Sequence, residues 1–105
     1  MRCRTCQPLP EEVARAADLL GRRWVLAILW VSFEAGAVRF NEFKQALETI
    51  PPRTLAARLS ELEAAGVLER QVLHTRPPRV EYRLTDTGRR LGALVDALRA
   101  YAAHT

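Results

Sequence analysis

The sequence predicts a mainly α-helical domain carrying a small β-hairpin, and three observations predict it. The stretch PPRTLAARLSELEAAGVLER, residues 51–70, opens on two prolines, places Leu55, Leu59 and Leu62 at i, i+4 and i+7, and stops at Gly66. Residues 79–84 then alternate, with Val80, Tyr82 and Leu84 set against Arg79, Glu81 and Arg83, as a half-buried strand does. A last apolar stripe of Leu91, Leu94, Val95, Leu98 and Tyr101 returns to the helical period.

The bulk composition limits the rest. A chain of 105 residues, 49% hydrophobic and 27% charged, holds one modest core. Sixteen basic against twelve acidic residues give a net charge of +4, and every basic residue but Lys44 is arginine. That balance favours an anionic partner. The longest apolar run, Trp24 to Val31, falls short of the ~20 residues that cross a bilayer, and no charged-then-apolar signal segment opens the chain. A cytoplasmic protein without membrane contact is expected. Cys3 and Cys6 are its two cysteines, too close together to staple a secreted scaffold.

Residues 1–9 show no apolar period and read as a tail, leaving residues 10–105 as the domain. From Pro10, with Glu11 and Glu12 near the positive end of the dipole, Val13, Ala16, Ala17 and Leu20 recur at helical spacing until Gly21. Residues 23–35 are apolar on almost every face, so this second helix must be covered all round, in part by a second subunit. Residues 37–40 are short and extended, and Asn41 is placed to cap a third helix with Phe43, Ala46 and Leu47 inward. The break at 49–52 leads into the fourth helix, followed by strands at 67–73 and 80–84. Thr85 caps the last helix.

Two helices joined by a short turn and followed by a hairpin make a helix-turn-helix with a β wing. The segments DLLGRRW (18–24), RFNEFKQAL (39–47), PRTLAARLSELEAAGVLER (52–70) and PPRVEYRLTDTGRRL (77–91) together resemble the HxlR-type winged helix-turn-helix transcription regulators of bacteria, a MarR-like family. The resemblance covers nearly everything after residue 12. It implies that residues 42–47 form a supporting helix, 52–65 a recognition helix in the major groove of double-stranded DNA, and 74–79 the wing. It also implies a homodimer on a palindromic operator.

With the three leucines turned inward, Arg53, Thr54, Ala57, Arg58 and Glu61 face outward near the helix start, where recognition helices meet base edges. Arginine can grip guanine O6 and N7, or a phosphate; Ala57 can pack on a thymine methyl. Arg53, Thr54, Ala57 and Arg58 are therefore candidate DNA contacts, with Asn41 as a candidate phosphate contact besides its capping role. At the wing, Pro77 and Pro78 stiffen the tip, and Arg76 and Arg79 flank it as candidates for the minor groove. Pro51 stands where the family usually has serine, which removes a cap worth ~1 kcal/mol. A DNA phosphate is expected to complete that cap. Trp24, Trp30 and Phe33 are read as core rather than as a ligand pocket.

The pair in CRTC has three readings: half of a zinc site shared across a dimer, a redox switch, or two plain thiols. Some relatives in the resembled family sense oxidants through a cysteine just ahead of the first helix, but Glu11 aligns there. An oxidant or small-molecule inducer acting through Cys3 and Cys6 is the expectation kept, with no metal and no cofactor. No serine-histidine-acid set, phosphate-binding glycine loop or metal cluster points to an enzyme. The alternative function is a winged-helix protein interaction module without sequence-specific DNA binding.

Overall fold

Pro10 and Gly21 bound the first helix, α1 (Glu11–Leu20), in the computed structural model, which describes residues 7–104. Helix α2 (Val25–Ala35) starts two residues later than the apolar run suggests, because Trp24 adopts a left-handed conformation at φ 79° and interrupts the backbone. Strand β1 (Ala37–Val38) leads to α3 (Phe40–Ala46), then α4 (Pro52–Ala64), β2 (Leu68–Leu73) and β3 (Arg79–Leu84). The chain ends in a short α5 (Asp86–Arg89) and a longer α6 (Gly92–Ala103).

The core gathers between α2, α3, α4 and the sheet. Val25, Ile28 and Leu29 of α2 meet Phe43 of α3, the three leucines of α4, and Val38, Ile50, Val67 and Leu68. Burying a side chain of this size stabilises by about 1.5–3 kcal/mol. Leu55, Leu59 and Leu62 thereby fix which face of α4 remains outside. Trp24, Trp30 and Phe33 pack partly buried against the same cluster, in line with the core reading. The buried hydroxyl of Ser32 donates to the Ile28 carbonyl at 2.8 Å, so the core holds no unsatisfied side-chain polar atom among the described residues.

The sheet runs β1-β3-β2, all antiparallel. Leu73 pairs with Arg79 and Leu68 with Leu84, while β1 joins only the root of the hairpin, Ala37 opposite Arg83 and Val38 opposite Tyr82. The Tyr82 ring meets Phe43 edge-on at 6.3 Å, which ties the hairpin to α3.

Three expectations are corrected. Asn41 does not cap α3; Arg39 occupies that position, and its backbone N–H donates to Glu42 Oε1 at 2.8 Å. A glutamate three residues into a helix reaches back to the cap, so Glu42 marks residue 39. Ala46 is exposed rather than inward. The final helix is divided: Thr85 caps only α5, through a bond of 2.9 Å from Gly88 N–H, and α6 starts afresh at Gly92. At the division Arg90 N–H and Leu91 N–H donate three residues back, to the Thr87 and Gly88 carbonyls at 3.2 and 3.0 Å, and α5 is locked in place at Gly88, where a Cβ would fall 2.2 Å from the Val67 carbonyl oxygen. Thr85 completes this lock by donating to the Gly66 carbonyl, just past the left-handed Gly66 (φ 76°) that closes α4.

A further difference concerns α2. None of its large apolar side chains is exposed, so one chain covers most of it. Apolar surface is left instead on α1, which buries no residue, and on α6, which buries only Val95.

Candidate nucleic-acid interface

Helix α4 begins on the stiff pair Pro51 and Pro52, and Pro51 accepts the Leu55 N–H at 3.0 Å through its carbonyl. No side chain caps this end. Proline at the first helical position presets φ, and the open amides of the first turn leave a positive helix end facing outward. Arg53 and Ala57 are exposed there, and Thr54 is half-buried. Arg53 makes no hydrogen bond or ion pair among the described residues, so its guanidinium keeps all its donors.

Arg58 is placed differently. Its side chain is only 20% exposed, and Nη1 lies 2.9 and 2.8 Å from the two carboxylate oxygens of Glu61. Its Nε donates to the backbone carbonyl of Arg23 at 3.2 Å, and Arg22 approaches the same Glu61 at 3.7 Å. Of the two α4 arginines expected to face outward, Arg53 does so without a partner among the described residues, whereas Arg58 is turned to the flank of the helix and committed to Glu61 and the Arg23 carbonyl.

The wing tip spans residues 74–78. Thr75 Oγ1 donates to the Pro77 carbonyl at 2.7 Å, closing a tight loop that leaves Arg76 and Arg79 exposed. Neither has an ion-pair partner among the described residues. Arg39, Asn41 and Gln45 of the α3 end share a cleft of about 670 Å³ with Pro77, Pro78 and Arg79 of the wing. The fold thus brings Asn41 and Arg79 to one surface, where Asn41, relieved of capping, points no polar group into the core. Sequence reasoning missed Gln45, whose exposure on α3 carries no periodic signal. Cys3 and Cys6 lie outside the described residues.

A helix entered through two prolines, packed on a supporting helix by Phe43 and Ile50, and followed by a hairpin with an arginine-flanked tip is a winged helix-turn-helix. The HxlR-like helix-turn-helix family matches residues 19–105. This chain belongs to that family. It is 39% identical over 88 residues to the HTH-type transcriptional regulator YvaP of Bacillus subtilis, covering 84% of this chain and 81% of that one. The redox regulator HypR in its oxidized form superposes with a TM-score of 0.83 at 35% identity, over 90% of this chain and 96% of HypR. The diamide-treated YodB of B. subtilis gives 0.76 at 34% identity, over 93% and 96%. The chain is accordingly a transcriptional regulator of the HxlR-like family, and helix-turn-helix regulators bind DNA. No described helix is long and apolar enough to cross a membrane.

Proposed function

We propose that this HxlR-like regulator acts in the cytoplasm as a homodimer on a palindromic operator, with α4 in the major groove and the wing along the minor groove. The observation that carries the reading is the free Arg53 at the uncapped start of α4, set beside the unpaired wing arginines Arg76 and Arg79. Arg53, Thr54 and Ala57 meet base edges; Arg76, Arg79 and Asn41 meet phosphates or the minor groove. A phosphate at the open amides of α4 replaces the missing serine cap. Exposed Val13 on α1, and Leu94 and Tyr101 on α6, supply the apolar face on which two copies join. Selecting DNA from a random pool with the purified protein tests this. Recovery of a palindrome with half-sites about one helical turn, ~34 Å, or a multiple of it apart is expected; a pool without enrichment rejects the operator.

The likeness to HypR and YodB supports an oxidant response for the same dimer, carried by Cys3 and Cys6. Arg2 and Arg4 flank Cys3, and positive charge favours the reactive thiolate. Two thiols, one from each subunit, would give two electrons and two protons to peroxide or diamide and close a disulfide between subunits. That bond would shift the two recognition helices against each other. Operator affinity before and after mild oxidation, with a non-reducing gel, compares the wild type with a Cys3→Ser, Cys6→Ser variant. Equal affinities under oxidant would make the thiols bystanders.

A further inference from the structure

Helix α1 poses a mechanical problem. It buries none of its residues, and only Leu19 and Leu20 at its end pack partly against the core. Side-chain packing therefore does little to fix the angle between α1 and the winged half. That angle is set instead by the turn at residues 21–24, which connects α1 to α2.

The turn is itself an unfavourable piece of backbone. Trp24 sits at φ 79°, a left-handed conformation that a bulky side chain rarely adopts and that persists only where the surroundings enforce it. Two kinds of contact enforce it here. Within the turn, Val25 N–H donates to the Arg22 carbonyl at 3.2 Å, and the Arg23 guanidinium lies 5.1 Å from the centre of the Trp24 ring. From outside, one turn of α4 grips it at two points. Arg58 Nε holds the Arg23 carbonyl, and Arg22 Nε stands 3.7 Å from Glu61. Arg58 Nη1 reaches both carboxylate oxygens of Glu61, at 2.9 and 2.8 Å, so the charge-assisted pair acts on the turn together.

We propose that Arg58 is a positioning residue that, with Glu61, forms a strut from α4 to the α1–α2 turn, and that this strut sets the distance between the two recognition helices of the dimer. The inference rests on the dimeric operator reading above. If α1 belongs with α6 to the dimer interface and α4 to the DNA, the turn at 21–24 joins α1 to the winged half beside the direct packing of α6 on α2, and the strut is what stiffens that turn. Arg58 commits Nε and Nη1 within the protein, and on this reading it holds the turn rather than reading a base. Arg53, five residues earlier and without partners among the described residues, is left as the arginine that reads sequence.

A reader and a strut fail differently. Losing a reader changes base preference at one position of each half-site. Losing a strut leaves base preference alone and relaxes the preference for half-site spacing. The test uses the full-length protein, the selected operator, and two derivatives with half-sites moved apart or together by one base pair. One base pair displaces and rotates a half-site enough that a stiff wild-type dimer should bind the derivatives at least about tenfold more weakly. For Arg58→Ala that penalty should shrink to within about threefold, with the same base preferences in a fresh selection. Arg58→Lys, which can answer Glu61 but cannot also reach the Arg23 carbonyl through a second fixed N–H, should fall between. Arg53→Ala should do the reverse, altering base preference and keeping the spacing penalty.

A base-pair-specific loss in Arg58→Ala with an unchanged spacing penalty overturns the proposal, and so does a wild type indifferent to spacing. Amide hydrogen exchange on the free protein gives an arm that needs no operator: Arg58→Ala should exchange about tenfold faster at Arg22 and Val25, because local opening there loses its outside brace. Unchanged exchange rejects the strut even if the operator stands. Faster exchange without a recovered palindrome keeps the strut and rejects the operator. Should Arg58→Ala fail to fold by circular dichroism, Glu61→Gln, which weakens the fork while keeping an acceptor, is read by the same two measurements.

Discussion

Between Val25 and Leu84 every large apolar side chain except Val72 is buried or partly covered, whereas the two flanking helices leave Val13, Leu94 and Tyr101 exposed at 46%, 39% and 72%. Both regions are comparably rich in leucine, valine and aromatic residues. The difference lies in what each has to pack against. The middle region folds three helices onto a sheet and closes its own core. Helices α1 and α6 each pack on α2, and among the described residues both keep large apolar side chains exposed. A small domain with one core has little further surface to offer them, so apolar pattern alone separates covered helices from partly uncovered ones only after the neighbours are known.

The largest expected effect would break the middle region. Leu59→Ala removes a fully enclosed side chain and should cost ~2–5 kcal/mol, read as a fall in the denaturation midpoint. A cost near that of a surface change would mean the core of the middle region is looser than its packing implies.

The next effect belongs to the outer face of the same region. Arg53→Ala should cost ~1–3 kcal/mol on the selected operator, concentrated at particular base pairs, while leaving association between subunits untouched. Equal weakening on all sequences would turn Arg53 into a phosphate contact.

Leu94→Asp sharpens the other side of the comparison. It should leave the fold intact, since Leu94 is exposed, and weaken self-association at least tenfold, about 1.4 kcal/mol, in analytical ultracentrifugation. A wild type that is monomeric at micromolar concentration removes the reason for the comparison. The smallest effect is expected at the wing: Arg76→Ala should weaken binding uniformly and reduce the salt slope by about 0.9 per lost phosphate contact, roughly twice that for a dimer. An unchanged slope takes the wing tip off the DNA.

Most helices were legible because their boundaries carry their own chemistry. Pro10, Gly21, Pro52 and Gly66 mark ends that the structure keeps within a residue or two. The hairpin was legible from the alternation at 79–84. What was not legible depends on partners distant in sequence. The extended reading of 37–40 agrees with β1 at Ala37 and Val38 but not with Phe40, which opens α3; the strand's pairing with Arg83 and Tyr82 was the part that local pattern does not carry. The seat of α5 depends on the approach of Val67 to Gly88, twenty-one positions away. The cap of α3 was legible but was read from Asn41 when Glu42 pointed to residue 39. Helical spacing reads Arg58 as facing outward with Arg53, whereas its side chain is only 20% exposed and turned to Glu61 and the Arg23 carbonyl, partners that no local pattern announces.

The order β1-β3-β2 also has a mechanical meaning. Only the root of the hairpin is three strands wide; beyond Tyr82 it continues as a bare two-stranded ribbon to its tip. Such a ribbon twists and bends more easily than a wider sheet. The hairpin is thus a cantilever, clamped where Tyr82 meets Phe43 and compliant towards Arg76. Deflection at the free end is taken up along residues 72–80, so a wing lying along DNA as proposed would follow minor grooves of different width while α4 kept its seat.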